Sequence, residues 1–315
     1  MKKILFTSAM AFLMFACGNN KKDDSSSGIS IDGSSTVYPV TEAIAEEYRN
    51  EDPKVQVTIG VSGTGGGFQK FGRGDVDIAN ASRSIKEDEK AIAEENDINF
   101  IELEVAYDGL AVIAHPENDW LDCITVEELR TIWEPAAQGK IKRWNQIRSE
   151  WPDEEIHLYG PGVASGTFDY FTEAINGKSG SSRGDYTASE DDNVLVQGVA
   201  GDKYGLGFFG LAYYGENSEK LKLVGVDGGE GCVEPTSETV SNGSYAPLSR
   251  PLFVYVNSSS VKNNPKVIDF MEFYLEEVSS LLKDVGYVPL TEEEYKRERK
   301  KFADFVEQNK AEKAE

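Results

Sequence analysis

Hydrophobic residues along this chain recur with two periods. In VQVTIGV, Val55, Val57, Ile59 and Val61 fall at every second position, the spacing of a strand with one buried face. Short apolar runs of strand length recur at residues 29–31, 76–79, 110–114, 156–159, 221–224 and 252–256. Between them lie helical spacings of three and four: Val37, Val40, Ile44 and Tyr48; then Val126, Leu129 and Ile132; then Phe168, Phe171 and Ile175. Strands alternating with helices predict an α/β architecture, with a parallel-type sheet covered on both faces. Residues 291–315 form a charged helical run, expected to be a solvated surface helix that frays at its end. No internal repeat of fixed period is visible.

Composition narrows what such a fold can do. The chain has 315 residues, of which 39% are hydrophobic, enough for a sizeable core in one large domain or two lobes. Lys+Arg number 32 against 55 Asp+Glu, a net charge of −23. Nucleic-acid binding needs a basic footprint to displace counterions, so no nucleic-acid partner is expected. An anion bound here must be held by a local site working against the overall field.

The first residues read as an address. Lys2 and Lys3 precede a short, mostly apolar stretch ending at Ala16, the pattern of a secretory signal peptide over residues 1–16. The stretch is shorter than the ~20 apolar residues of a membrane span. Cys17 directly after Ala16 resembles a lipobox, whose Cys becomes the lipidated N-terminus; the alternative is an ordinary signal peptide cut nearby. Residues 17–28 then read as a flexible tether. The expectation is an exported periplasmic or cell-surface lipoprotein, held to a membrane by its N-terminal lipid only. In that oxidising setting Cys123 and Cys232 either form a disulfide or remain two small buried thiols.

The candidate chemistry lies in three strand-to-helix junctions of one kind. They are Gly33-Ser34-Ser35-Thr36, Ser62-Gly63-Thr64-Gly65-Gly66-Gly67 and Ser165-Gly166-Thr167. A helix start has unpaired N–H groups and a positive dipole end, which suit an anion; hydroxyls add donors and Gly admits the ligand to the backbone. Ser and Thr are also the commonest N-caps, so each junction alone has a purely structural reading. Neither Gly-rich loop continues into the Gly-Lys-Ser/Thr of a P-loop. Residues 162–166 read GxxSG, not the GxSxG of a hydrolase elbow. The chain has only His115 and His157, and His157 in IHLY reads as a satisfied core histidine. No zinc-spaced cluster is present in the sequence, so no metal, no cofactor and no catalytic residue are expected.

Five segments in order carry a family resemblance: GSSTVYPV (33–40), SGTGGGFQKF (62–71), DIANASR (77–83), YGPGVASGTFDYF (159–171) and ASEDDNVLVQGVAGD (188–202). Together they resemble the phosphate-binding protein of high-affinity ABC phosphate importers, the PstS type, from about residue 29 to 257 and more loosely beyond. The resemblance implies a two-lobed periplasmic-binding-protein fold with a hinge and an interlobe anion site. The chain would cross between lobes near residues 106–109 and 250–253, giving lobe 1 as 29–106 plus 253–315 and lobe 2 as 107–252. It implies capture of inorganic phosphate by a monomer, and delivery to an ABC permease and its ATPase without catalysis. The alternatives are a binding protein for another oxyanion, such as sulfate or a phosphonate, and an exported phosphatase.

Residue by residue, the resemblance assigns Ser35 and Thr36 to the first anion turn, Thr64 and secondarily Ser62 to the second, and Ser165, Gly166 and Thr167 to the third, with Ser82 beside them. Two positions depart from the better-known branch: Arg83 stands after Ala81-Ser82 where that branch has Asp, and Pro161 stands four residues before Ser165 where it has Arg. Phosphate at neutral pH still carries a proton and sulfate does not, so preferring phosphate needs an acceptor for that proton. Arg83 is therefore expected to grip the anion through paired N–H donors, with Asp108, or after it Asp192, as the acceptor.

Overall fold

From Gly28 onward the two periods become elements of the expected lengths. A computed structural model of the chain describes residues 28–163, 165–189, 191–282 and 285–314. The predicted signal peptide, Cys17 and the tether up to residue 27 lie outside the described residues. The first part runs β1 (Gly28–Gly33), α1 (Tyr38–Glu51), β2 (Gln56–Gly60), α2 (Gly63–Gly72), β3 (Ile78–Ala81), α3 (Glu87–Glu95) and the long β4 (Phe100–Ala114). It continues with β5 (Cys123–Thr125), α4 (Val126–Trp133), β6 (His157–Pro161), α5 (Gly166–Asn176), β7 (Thr187–Ser189), α6 (Asp192–Ala200), β8 (Gly205–Gly210) and α7 (Leu211–Asn217). Then come β9 (Lys222–Asp227), β10 (Cys232–Val233), α8 (Ser237–Ser241), β11 (Ser249–Asn257), α9 (Ser258–Asn263), α10 (Pro265–Leu281) and α11 (Glu292–Ala314).

The strands join in the order β2-β1-β3-β11-β4-β8-β6-β7, with β9 paired to β4, β5 and β10. The sheet is mixed, not parallel as the alternation alone suggested. Pairs β1–β2, β1–β3, β6–β7 and β6–β8 are parallel, whereas β11 runs against both β3 and β4, and β4 runs against β8. The reason is topological. β4 carries the chain from the first group of strands to the second, and β11 brings it back, so the two meet antiparallel. Their register places Phe100 opposite Asn257, Arg250 opposite Asp108 and Ser249 opposite Gly109, with a shift between Leu252 and Phe253. From Leu110 onward β4 pairs with β8 instead.

The helices bury the faces their spacing marked. Val40, Ile44 and Tyr48 of α1, Leu129 and Ile132 of α4, and Phe168, Phe171 and Ile175 of α5 are all buried. Phe171 stacks on Phe208 of β8, and Trp133 meets the same ring edge-on. Cys123 and Cys232 are joined in a disulfide that spans β9, their Cα atoms 6.0 Å apart. Gly225 of β9 leaves it room, since a Cβ there would lie 2.6 Å from the Cys232 Sγ.

Two readings of surface and core are corrected. His157, expected inside the core, heads β6 with its ring exposed, and its Nδ1 lies 2.5 Å from Asp202 Oδ2. The run at 291–315 is not simply a solvated helix: Tyr295, Phe302 and Val306 of α11 are buried, and the Tyr295 hydroxyl donates to the Val105 carbonyl at 2.9 Å. Spacings of seven and four put these three on one narrow stripe, which the surrounding charge conceals in a linear reading. Phe302→Ala should therefore destabilise the protein by about 3–5 kcal/mol, measured by urea denaturation. A freely solvated helix would lose almost nothing.

Candidate functional site

The first junction is shaped by what Gly33 permits. Its φ of 144° suits glycine, and a Cβ there would lie 2.0 Å from the Asn80 carbonyl oxygen. The chain therefore turns tightly over the end of β3. The Ser34 N–H donates to that carbonyl at 2.9 Å, and the Thr36 N–H donates to Ser34 Oγ at 3.2 Å. From behind, the buried Tyr287 hydroxyl donates to the Thr36 carbonyl at 2.6 Å. The turn at 34–36 is thus held by backbone and core groups, and Ser35 and Thr36 line a cavity beside it.

At the second junction the structure gives different partners to the two hydroxyls, of which the resemblance ranks Thr64 before Ser62. Ser62 turns to Asp32: its N–H and hydroxyl both donate to Asp32 Oδ1, at 3.1 and 2.5 Å, while Lys70 Nζ lies 2.5 Å from Asp32 Oδ2. Burial would raise the Asp32 carboxyl, but the Lys70 and Ser62 contacts outweigh it and hold the group below its usual range. Thr64 instead pairs with Ser82, accepting its N–H at 3.2 Å with the two hydroxyls 3.1 Å apart. Arg83 is committed sideways. Its guanidinium donates in a fork to both oxygens of buried Glu89 at 2.8 Å, reaches the Ser84 carbonyl, and lies over the Phe68 ring.

The third junction meets the first. Ser165 caps α5, its hydroxyl accepting the Thr167 N–H at 3.2 Å. A Cβ on Gly166 would lie 3.0 Å from the Thr36 Cα, so the start of α5 touches the turn at 34–36. Arg250, which the sequence reading missed, enters here from the head of β11. One of its terminal nitrogens donates to Thr36 Oγ1 at 2.9 Å, and its guanidinium lies 3.6 Å from the Tyr170 ring centre. It approaches Asp108 Oδ2 only at 3.4 Å. Asp108 is fully buried, which pushes its carboxyl above the usual range, and Arg250 offsets part of that rise. The available signal for Arg250 was its place: a lone charge opening the apolar run at 252–256.

These residues surround two adjoining cavities. The first, about 650 Å³, is lined by Ser35, Thr36, Thr64, Ser82, Arg83 and Arg250, among others. The second, about 530 Å³, is lined by Ser35 again with Asp108, Ser165, Gly166, Thr167 and Asp192. Ser62 lines neither. Hydroxyls, a helix start and an arginine gathered around Thr36 are the kind of donors an oxyanion would need. Among the described residues no group of His, Cys, Asp and Glu is arranged to hold a metal ion.

Residues 19–278 match the PBP superfamily domain. Protein SphX of Synechocystis sp. is 50% identical over 286 residues, covering 91% of this chain and 85% of that protein. Phosphate-binding protein PstS of Staphylococcus saprophyticus is 39% identical over 302 residues, covering 94% of this chain and 92% of its own. A solved structure described as a possible phosphate binding protein, from Planctomyces limnophilus, superposes with a TM-score of 0.85 at 46% identity. It covers 89% of this chain and 99% of that one.

The two hydroxyls of the second junction should behave differently. Ser62→Ala removes a donor to Asp32 and should cost about 1 kcal/mol of stability while leaving anion affinity within twofold. Because the folded Asp32 carboxyl is held below its unfolded value, its stabilisation is complete above roughly pH 4 and is lost as pH falls through the lower, folded value. Denaturant titrations from neutral to acid pH should therefore show the gap between Ser62→Ala and the parent narrowing on acidification.

Proposed function

The chain belongs to the PBP superfamily, among phosphate-binding proteins of the PstS type, and from that membership we propose that it captures inorganic phosphate outside the cytoplasm and delivers it to an ABC importer. The observation that carries the reading is the meeting of three elements at one point. Thr36, the start of α5 and Arg250 converge from distant parts of the chain where two hydroxyl-bearing cavities adjoin.

In this reading Ser35, Thr36, Thr64 and Ser82 donate to the anion from one wall. Ser165, Gly166 and Thr167 donate from the other, with the α5 dipole behind them. Arg250 supplies the positive charge. Arg83, forked to Glu89, adds field at the wall and does not grip the ligand. Asp108 accepts the proton that phosphate carries and sulfate lacks, since a buried carboxylate beside a fully ionised oxyanion is repelled without compensation. Residues 29–106 plus 253–315 form one lobe and 107–252 the other, hinged where β4 and β11 cross and closing on the ligand. Cys17 carries the lipid that tethers the monomer to its membrane. No chemistry on the ligand is involved: His157, at the head of β6, is engaged with Asp202 and lines neither cavity.

Phosphate at a hundredfold excess over its Kd should stabilise the protein by roughly 2.7 kcal/mol, seen as a raised melting temperature together with compaction in X-ray scattering; an unchanged melting curve in millimolar phosphate sinks the reading. Thr64→Val, which removes one donor to a charged ligand at nearly constant volume, should weaken phosphate about tenfold to a hundredfold in equilibrium dialysis. In competition binding, Arg250→Gln should weaken phosphate and sulfate alike, whereas Asp108→Asn should narrow the gap between them. An unaltered ratio in Asp108→Asn would show that the acceptor is another group.

A further inference from the structure

Residues 285–290, in the link between α10 and α11, are fastened to four parts of the molecule. The Tyr287 N–H donates to the Leu282 carbonyl at the end of α10 at 3.0 Å, and its hydroxyl donates to the Thr36 carbonyl at 2.6 Å. Val288 exchanges two backbone hydrogen bonds with Tyr107 of β4, at 2.8 and 2.9 Å. The Leu290 N–H approaches the Tyr295 hydroxyl of α11 at 3.4 Å, and that hydroxyl is bonded in turn to Val105.

These contacts fall where the chain crosses between walls. β4 pairs with β11 up to Gly109 and with β8 from Leu110, so Tyr107 stands just before the changeover, beside Asp108. The segment also reaches the far wall. Gly286 has a φ of 84°, which suits glycine; a Cβ on it would lie 3.1 Å from the Tyr213 ring of α7, and a Cβ on Gly210 would lie 3.2 Å from the Gly286 carbonyl oxygen. Beside these contacts a cavity of about 480 Å³ opens between Tyr287, Val288 and Pro289 and the residues Leu211, Tyr214 and Pro235. The segment is therefore bonded to β4 and Thr36 but only rests on α7, with room to slide there. Burial raises the Tyr287 hydroxyl above its ordinary range, so it stays a proton donor at neutral pH.

We infer that residues 285–290 are a third connection between the two walls, and that Tyr287 is a positioning residue for the anion. Its hydroxyl fixes the end of the turn that carries Ser35 and Thr36, and Val288 passes that position to β4 one residue before Asp108. Seating the anion at the turn and moving β4 are then one mechanical event. Without the hydroxyl a buried carbonyl loses its partner, and the turn must shift to find another. The inference rests on the phosphate-capture reading with its two closing lobes, and adds the tie between site and hinge.

Tyr287 also lines the second cavity, so direct donation to the anion is the competing role. Gly286 separates the two roles, because it has no side chain to offer a ligand and bears only on the far wall.

Equilibrium dialysis with radiolabelled orthophosphate reads the Kd, and X-ray scattering at saturating orthophosphate reads closure, for the full-length parent and three variants. Tyr287→Phe should weaken phosphate about tenfold and compact less than the parent at saturation. Gly286→Ala, which deletes no donor, should weaken phosphate roughly threefold or more. Tyr255→Phe deletes a buried hydroxyl that accepts the Ile85 N–H, away from both cavities. It should lower the ligand-free Tm and leave the Kd within about twofold. A parental Kd in Tyr287→Phe, or full compaction of that variant at saturation, overturns the inference. So does a parental Kd in Gly286→Ala beside a weakened Tyr287→Phe, because the hydroxyl then serves the anion directly. An equal loss of affinity in Tyr255→Phe overturns it too, by making general destabilisation the cause. A parent that binds no orthophosphate, or binds it without compacting, overturns the phosphate-capture reading instead, and is measured before any variant.

Discussion

The antiparallel register that sets Arg250 of β11 opposite Asp108 of β4 brings a cation to the middle of a protein whose net charge is −23. Much of the site depends on that placement. Asp108 is fully buried while the Arg250 side chain keeps 15% of its surface exposed, and the carboxylate is costly there alone, because an isolated charge in the interior loses its hydration without return. The contact between them is long at 3.4 Å, while Arg250 also reaches Thr36 and lies against the Tyr170 face. The guanidinium is therefore positioned by three different elements without being saturated by any of them. An arginine so held is preorganised for an oxyanion, and its ordering cost is met during folding, before the ligand arrives.

Two arginines line the same cavity, and their surroundings divide the work between them. Arg83 makes a fork with Glu89 that uses both terminal nitrogens, so the pair is close to neutral as seen from the cavity. Arg250 meets a carboxylate less tightly, its Nε and one terminal nitrogen both 3.4 Å from a single oxygen of Asp108. Burial and counter-charge, not residue type, decide which of the two can grip an anion. The same logic separates Ser62 from Thr64. Both are hydroxyls at one helix start, but Asp32, itself held by Lys70, engages the Ser62 hydroxyl.

Much of the site was legible because its local requirements are written in short segments. The glycines and hydroxyls at 33–36, 62–67 and 165–167 are dictated by tight turns into helix starts, and the structure places helices there. The turn at Gly33 needs glycine, since a Cβ would strike Asn80. Arg250 was not legible. Its role depends on Thr36, Asp108 and Tyr170, which lie 214, 142 and 80 positions away in the chain, and no local pattern encodes such a meeting. The burial of α11 was hidden for a related reason: Tyr295, Phe302 and Val306 form a stripe too sparse to stand out among the charges until α10 and β4 pack against it.

Period, composition and turn chemistry thus determined the elements and the α/β class, because each follows from neighbours within a few residues, and turn chemistry pointed to an anion that only the resemblance made phosphate. Strand direction, the mixed sheet and the choice among equivalent side chains were decided by tertiary structure alone. The run 110–114 reads the same whether its neighbour is parallel or antiparallel; only the return of the chain through β11 settles it. Likewise local spacing around Ser62, Thr64 and Arg83 does not rank them, and only the family resemblance put Thr64 ahead of Ser62. Which one faces the cavity depends on where Asp32, Ser82 and Glu89 come to rest, and long-range packing sets those positions.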